Sequence, residues 1–343
     1  MDVLDNAQVI AQRDPQGALN AVAGQCDYFA QTFSAEFIAK VPIFNIVWAG
    51  MGESALPMVL VQSWPQLHIP FEVVRNYDIP PYVGEHTLFI ASSYSGNTEE
   101  TLEALRHAEE KGAQIVVVAA GGRLAAIARE KSYPLFEIPA GIQPRIATFY
   151  FVNAFVSIVR DLDVMHADAE EITSVGEWLR GEIKGWMSDI PTEHNDAKQL
   201  ALQLMGKTII MYAGPKLFPA ANKWKICINE NAKNTAWVNQ YPEFNHNECI
   251  GWSSHPIEKP FAVVEIRSTL EHERVQKRFE VTERLLSGMR PSPIIVTPHG
   301  TTILQQLAWS FVLGDFVSIY LALLNGVNPT PVELVETLKK ELG

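Results

Sequence analysis

An α/β chain of two lobes, each a parallel sheet flanked by helices in an α-β-α sandwich, is the fold class the sequence predicts, on three observations. Between residues 44 and 138, short apolar runs alternate with amphipathic stretches, the pattern of a parallel sheet with helices on both faces. A second run begins at Lys207, where Ile209-Ile210-Met211-Tyr212-Ala213-Gly214 resembles Asn45-Ile46-Val47-Trp48-Ala49-Gly50. Apolar residues make up 47% of the 343 residues and charged residues 19%, which supports two cores of ordinary size and argues against disorder.

The elements follow in order. Residues 18–37 predict an amphipathic helix, with Leu19, Val22, Cys26, Phe29, Phe33 and Phe37 at three- and four-residue spacing, although Gly24 weakens its middle. Residues 44–48 form an apolar run that enters Ala49-Gly50-Met51-Gly52, a strand running through glycines toward a helix. Strands are expected at 71–75, 87–91, 114–119 and 135–138, and helices at 98–110 and 124–131. From about 149 to 204 the pattern is mostly helical. The second run predicts strands at 261–266 and 293–296 and helices at 271–286, 302–325 and 332–342. The expected division is a first lobe over 1–160, a helical connection over 161–206 and a second lobe over 207–343.

Composition excludes several function classes. A formal charge of −12 makes a nucleic-acid partner unsuitable, because a phosphate backbone needs a dense Lys/Arg surface. Any anionic ligand must then be held by local donors against the overall field. Cys26, Cys227 and Cys249 are few, odd in number and far apart, so a disulfide framework is not expected and a reducing cytoplasm is. Residues 1–13 lack the apolar run of a signal peptide. The long apolar stretch 303–324 is interrupted by Gln305, Gln306 and Asp315, which predicts a buried helix and no membrane partner.

The most informative stretch of the first lobe is Ser92-Ser93-Tyr94-Ser95-Gly96-Asn97-Thr98-Glu99-Glu100-Thr101. It follows an apolar strand and opens a helix, so unpaired amides and a partial positive charge meet whatever lies above the strand end. Ser93, Ser95 and Thr98 add hydroxyl donors, and Gly96 permits close backbone approach. Helix capping by Asn97 with Glu100 accounts for part of the pattern, but not for the extra hydroxyls and glycine ahead of it.

Residues 93–98 also resemble the signature of SIS domains, sugar-isomerase lobes that bind phosphosugars. Gly50-Met51-Gly52-Glu53-Ser54-Ala55 resembles their companion glycine-rich loop, except that Glu53 stands where the family has a second consecutive glycine. The resemblance implies a phosphate cradle of Gly52, Glu53, Ser54, Ser93, Ser95 and Thr98. A carboxylate close to a phosphate repels it by about 1 kcal/mol or more, according to the local dielectric, so Glu53 either points away or lowers the affinity.

A more specific resemblance lies in the second lobe. Lys225-Ile226-Cys227-Ile228-Asn229-Glu230-Asn231-Ala232-Lys233, followed by Tyr241-Pro242-Glu243-Phe244-Asn245-His246-Asn247-Glu248, resembles paired motifs of the bifunctional phosphoglucose/phosphomannose isomerase family. The similarity runs from Trp48 to Lys339. It implies an enzyme that interconverts glucose 6-phosphate and/or mannose 6-phosphate with fructose 6-phosphate, without metal or cofactor. By resemblance, Glu230 moves the proton between C1 and C2, His246 and Lys339 assist ring opening, and Arg145 in Gln143-Pro144-Arg145-Ile146-Ala147 stabilises the enediolate. It further implies a homodimer in which His246 is supplied across the interface.

The residues themselves leave other readings open. His246 and Cys249 are three apart, a spacing compatible with a metal site, but no second pair has ligand spacing. Thr330-Pro331-Val332-Glu333 predicts a capped helix start, with Val335, Leu338 and Leu342 as its apolar stripe and Lys339 at the edge of that stripe. An isomerase of another phosphosugar on the same scaffold is one alternative. A non-catalytic SIS module that senses a phosphosugar is the alternative of a different class: Glu53 favours it, and the set Glu230, His246, Arg145 and Lys339 favours the enzyme.

Overall fold

The computed structural model describes residues 3–166, 169–253 and 260–342. The chain opens with two short helices, α1 (Ala7–Arg13) and α2 (Ala18–Ala23). It continues through β1 (Asn45–Ala49), α3 (Leu56–Val61), β2 (Gln66–Leu67), β3 (Phe71–Val74), β4 (Thr87–Ser93), α4 (Glu99–Glu110), β5 (Gln114–Ala119), α5 (Gly122–Lys131), β6 (Leu135–Glu137), α6 (Thr148–Val159), β7 (Met165–His166) and α7 (Ala169–Ile183). Then come α8 (Asp196–Leu204), β8 (Thr208–Ala213), α9 (Phe218–Glu230), β9 (Ala236–Gln240), β10 (Phe261–Ile266), α10 (Glu273–Leu285), β11 (Ile294–Val296), α11 (Ile303–Leu324) and α12 (Glu333–Leu342).

Two compact units result: Gln25–Glu177, and Met1–Gly24 together with Trp178–Gly343. The division differs from the expected boundaries at 160 and 206. The helical stretch after α6 is shared between the units, and the first two dozen residues fall in the second. Their anchors are specific. The Arg13 guanidinium donates to the Leu323 carbonyl, and Asp5 accepts from Lys198 Nζ at 3.0 Å and from the Thr192 amide at 2.9 Å. The helix expected over 18–37 is α2 followed by a 3-10 segment, Gly24–Ala30. The helix breaks at the glycine.

In the first unit, β3-β1-β4-β5-β6 form a fully parallel sheet. Alternation along β1 sends Val47 and Ala49 into a core shared with Phe89, Leu105, Val117 and Leu124, under α4 and α5. Trp48 points to the other face, where its ring lies 6.1 Å from Phe155 of α6. Strand β4 is buried along its whole length, as expected of a central parallel strand.

In the second unit, β11-β10-β8-β9 are again parallel. Strand β9 was not anticipated. It is an edge strand ending in Asn239 and Gln240, and its Trp237 is 62% exposed, so it carries no alternating pattern. One face packs Tyr212, Tyr241, Phe244, Val263 and Phe279 together. Beyond the other, α11 packs on α8 and α9, with every residue from Gln306 to Leu323 buried. Its length and apolarity would suffice to cross a membrane, but the apolar side chains are spent inside the lobe. Helix α12 starts at Glu333, two residues after Pro331, and the Val332 carbonyl accepts from the Val335 and Glu336 amides. Of its expected stripe, Val335 is 45% and Leu338 56% exposed, and the side chain of Leu342 lies outside the described residues.

Candidate active site

The first lobe brings its hydroxyls together at the carboxyl end of β4. Ser93 Oγ lies 2.7 Å from Thr98 Oγ1 and 3.4 Å from Ser95 Oγ, and it accepts from the Gly96 amide at 3.1 Å. Thr98, the residue preceding α4, makes no side-chain cap, which leaves first-turn amides to face an anion. Asn97 does not cap. Its Oδ1 accepts from the Arg123 amide at 3.0 Å and ties the turn to the start of α5. Gly96, at φ +68°, is required for the same reason: a Cβ there would collide with the Gly121 carbonyl. Its freedom therefore serves backbone packing between two turns.

The glycine-rich loop is fastened to this turn. Ser54 Oγ accepts from the Tyr94 amide at 3.0 Å, and the Ser54 carbonyl accepts from Trp48 Nε1 at 2.9 Å. Gly52, Glu53 and Ser54 form one 3-10 turn, and both Glu53 carboxylate oxygens are buried. That turn packs against a second one, Pro144–Ile146, which carries Arg145 at 5% exposure. Tyr94 holds the approach to it: its hydroxyl donates to the Pro139 carbonyl at 3.1 Å and accepts from the Ile142 amide at 2.8 Å. Burial raises the Tyr94 pKa, and the Ile142 amide partly offsets this. Tyr28 stacks on Tyr150 with centroids 4.1 Å apart, and its hydroxyl is pushed up to about 12 by burial, with the nearby Tyr150 and Tyr94 adding to the effect.

The second lobe carries the remaining candidates. Glu230 is the last residue of α9 and is half-buried. Its carbonyl accepts from Lys233 Nζ at 2.7 Å, and the same ammonium donates to the Asn328 carbonyl at 2.9 Å. Lys233 thus caps α9 with a cation and holds the segment that leads to α12. Its role was not anticipated, although it closes the motif that contains Glu230. The side chain of Lys339, in α12, lies outside the described residues.

His246 is exposed and ends the 3-10 turn Glu243–His246, which follows β9. Two residues on, Glu248 is clamped: the Tyr212 hydroxyl donates to one carboxylate oxygen and Asn239 Nδ2 to the other at 2.5 Å. Tyr212 and Asn239 are register partners on β8 and β9, so the loop after His246 is pinned across two strands. Burial, reinforced by the Glu248 carboxylate, drives the Tyr212 hydroxyl well above its ordinary range. The clamp had no local signal in the sequence, because its partners are 9 and 36 residues away. The Cys249 thiol donates to the Asn245 carbonyl at 3.4 Å. Among the described residues no group of three His, Cys, Asp or Glu side chains could hold a metal ion.

The arrangement divides the chemistry by lobe, with anion-binding donors and Arg145 in one unit and Glu230, His246 and α12 in the other. Residues 193–342 match the model of the bacterial phospho-glucose isomerase C-terminal SIS domain. The bifunctional phosphoglucose/phosphomannose isomerase of Caldicellulosiruptor bescii is 34% identical over 90% of this chain and 91% of its own. That of Aquifex aeolicus is 30% identical over 92% and 96%. A glucose-6-phosphate isomerase like protein from Thermus thermophilus has a TM-score of 0.65 at 20% identity, covering 96% of this chain and 98% of its own, a likeness of fold. With that identity sustained along nearly the whole length of both relatives, the chain belongs to the bifunctional phosphoglucose/phosphomannose isomerase family.

Proposed function

We propose that this chain is an aldose–ketose isomerase that interconverts glucose 6-phosphate and mannose 6-phosphate with fructose 6-phosphate through an enediolate. The observation that carries the reading is the hydroxyl cluster of Ser93, Ser95 and Thr98 at the uncapped start of α4, in a chain of this family. Together with Gly52 and Ser54 it receives the phosphate group.

The Glu230 carboxylate takes the C2 proton of the open-chain aldose and returns it to C1, while the hydroxyl proton passes from O2 to O1. Arg145 supplies positive charge for the enediolate oxygens. His246 and Lys339 assist ring opening, in which the O1 proton moves to the ring oxygen. We assign the active unit to a homodimer in which His246 comes from the neighbouring subunit. The exposure of His246 and of the α12 stripe supports that assembly. We place the activity in the cytoplasm, within hexose phosphate metabolism.

The test is turnover of the purified chain with each hexose 6-phosphate, alongside exchange of the C2 proton with deuterated water. Interconversion with exchange is expected. Binding of the sugar phosphate with neither would make the protein a sensor.

A further inference from the structure

The two sheets are built alike. The order β3-β1-β4-β5 of the first lobe has its counterpart in β9-β8-β10-β11 of the second. The turn from β1 to α3 therefore corresponds to the turn from β8 to α9, and the turn from β4 to α4 to that from β10 to α10. Gly50 and Gly214 each follow an alanine that ends the central strand, Ala49 and Ala213. In the first lobe these turns carry the hydroxyls of the cradle. In the second the corresponding place is filled from within.

Glu271, on the turn between β10 and α10, is 5% exposed and extends its carboxylate to the start of α9. Oε1 accepts from the Lys216 amide at 2.8 Å, and the Leu217 amide also bonds the carboxylate. Leu217, the residue before α9, offers no side-chain cap of its own. A Cβ at Gly214 would meet the same carboxylate, so the glycine leaves it room. Burial raises the Glu271 pKa, and the two amides with the Lys216 ammonium pull it back. Both amides belong to the turn that leads into α9, where backbone N–H groups and the helix dipole favour an anion.

We propose that Glu271 is a built-in anion: its carboxylate occupies, in the second lobe, the place a phosphate group takes in the first. It closes that lobe to a second sugar phosphate and fixes the start of α9, whose last residue is Glu230. Glu271 is then a positioning residue. Only the comparison with the phosphate cradle and the effect on turnover rest on the function proposed above.

The experiment removes the carboxylate and returns it as a free ion. Glu271→Ala in the full-length chain is expected to melt a few degrees below wild type. Sodium formate should restore most of that loss relative to sodium chloride at equal ionic strength, and leave wild type unchanged. In Gly214→Ala/Glu271→Ala, where a methyl group fills the space, formate should restore nothing. Turnover of Glu271→Ala should fall at constant KM and recover with formate. Glu271→Gln, which keeps the volume, reads the contact if the alanine variant does not fold: amide exchange at Lys216 and Leu217 should rise roughly fivefold or more. Formate acting equally on wild type and variant, or exchange unchanged in Glu271→Gln, overturns the proposal. If wild type lacks turnover, the isomerase reading fails, while melting and exchange still decide the role of Glu271.

Discussion

Lys223 and Asp315 form an ion pair of 3.0 Å with both side chains fully buried, joining the middle of α9 to α11. Cys227 adds its thiol to the same carboxylate oxygen at 2.9 Å, and Asn231 donates to Ser318 at 2.8 Å one turn further on. These contacts fix the roll of the helix that presents Glu230. Asp315→Ala leaves a buried ammonium without its counter-ion and should cost about 3–5 kcal/mol in denaturant unfolding. Replacing both partners, as Lys223→Met/Asp315→Leu, should recover most of that stability. A single variant as stable as wild type would mean that the pair contributes nothing.

Glu230→Gln keeps the size and most hydrogen bonds of the base but cannot accept a carbon-bound proton. The variant should lose kcat by about 10²–10⁴-fold and still bind fructose 6-phosphate with near-normal affinity. Exchange of the C2 proton should fall in parallel. Near-normal turnover would show that another group is the base.

Glu53 sits in the turn that holds Gly52 and Ser54, with its carboxylate oxygens buried. Charge in that position acts on a nearby phosphate even when the side chain turns inward. Glu53→Gln should lower KM for the sugar phosphate severalfold and leave kcat little changed, the pattern of uniform binding. An unchanged KM would show that the charge is neutralised within the lobe.

Shared active sites leave a signature that single-chain variants cannot mimic. Glu230→Gln and His246→Ala homodimers should each be nearly inactive. Mixing them under subunit exchange should restore partial activity, because hybrid dimers assemble one intact site. A fully active monomer in sedimentation would refute the shared site.

Much of the first lobe was readable because its determinants are local. The run into Gly50, the strand before Ser93 and the helix after Thr98 each lie within a dozen residues. What escaped depends on partners distant in sequence. Asn97 has the chemistry of a cap, yet it serves Arg123, 26 residues away. Glu271 reads as a surface acid until Gly214 and Lys216 fold against it, 55 residues from the latter. The α12 stripe has helical periodicity but lies exposed in this unit, and periodicity alone cannot say what covers it. Residues 3–24 carry no mark of the lobe they join, because Arg13 finds its acceptor 310 residues later.

That last contact has a consequence for the order in which the chain becomes a protein. The unit Gln25–Glu177 is continuous and is complete on the ribosome well before synthesis ends. The other unit is split around it. α1 and α2 are made before it, yet Arg13 must wait for α11, which provides the Leu323 carbonyl. Asp5 can meet Thr192 and Lys198 once α8 is made, whereas the Arg13 contact closes only after residue 323 has left the exit tunnel.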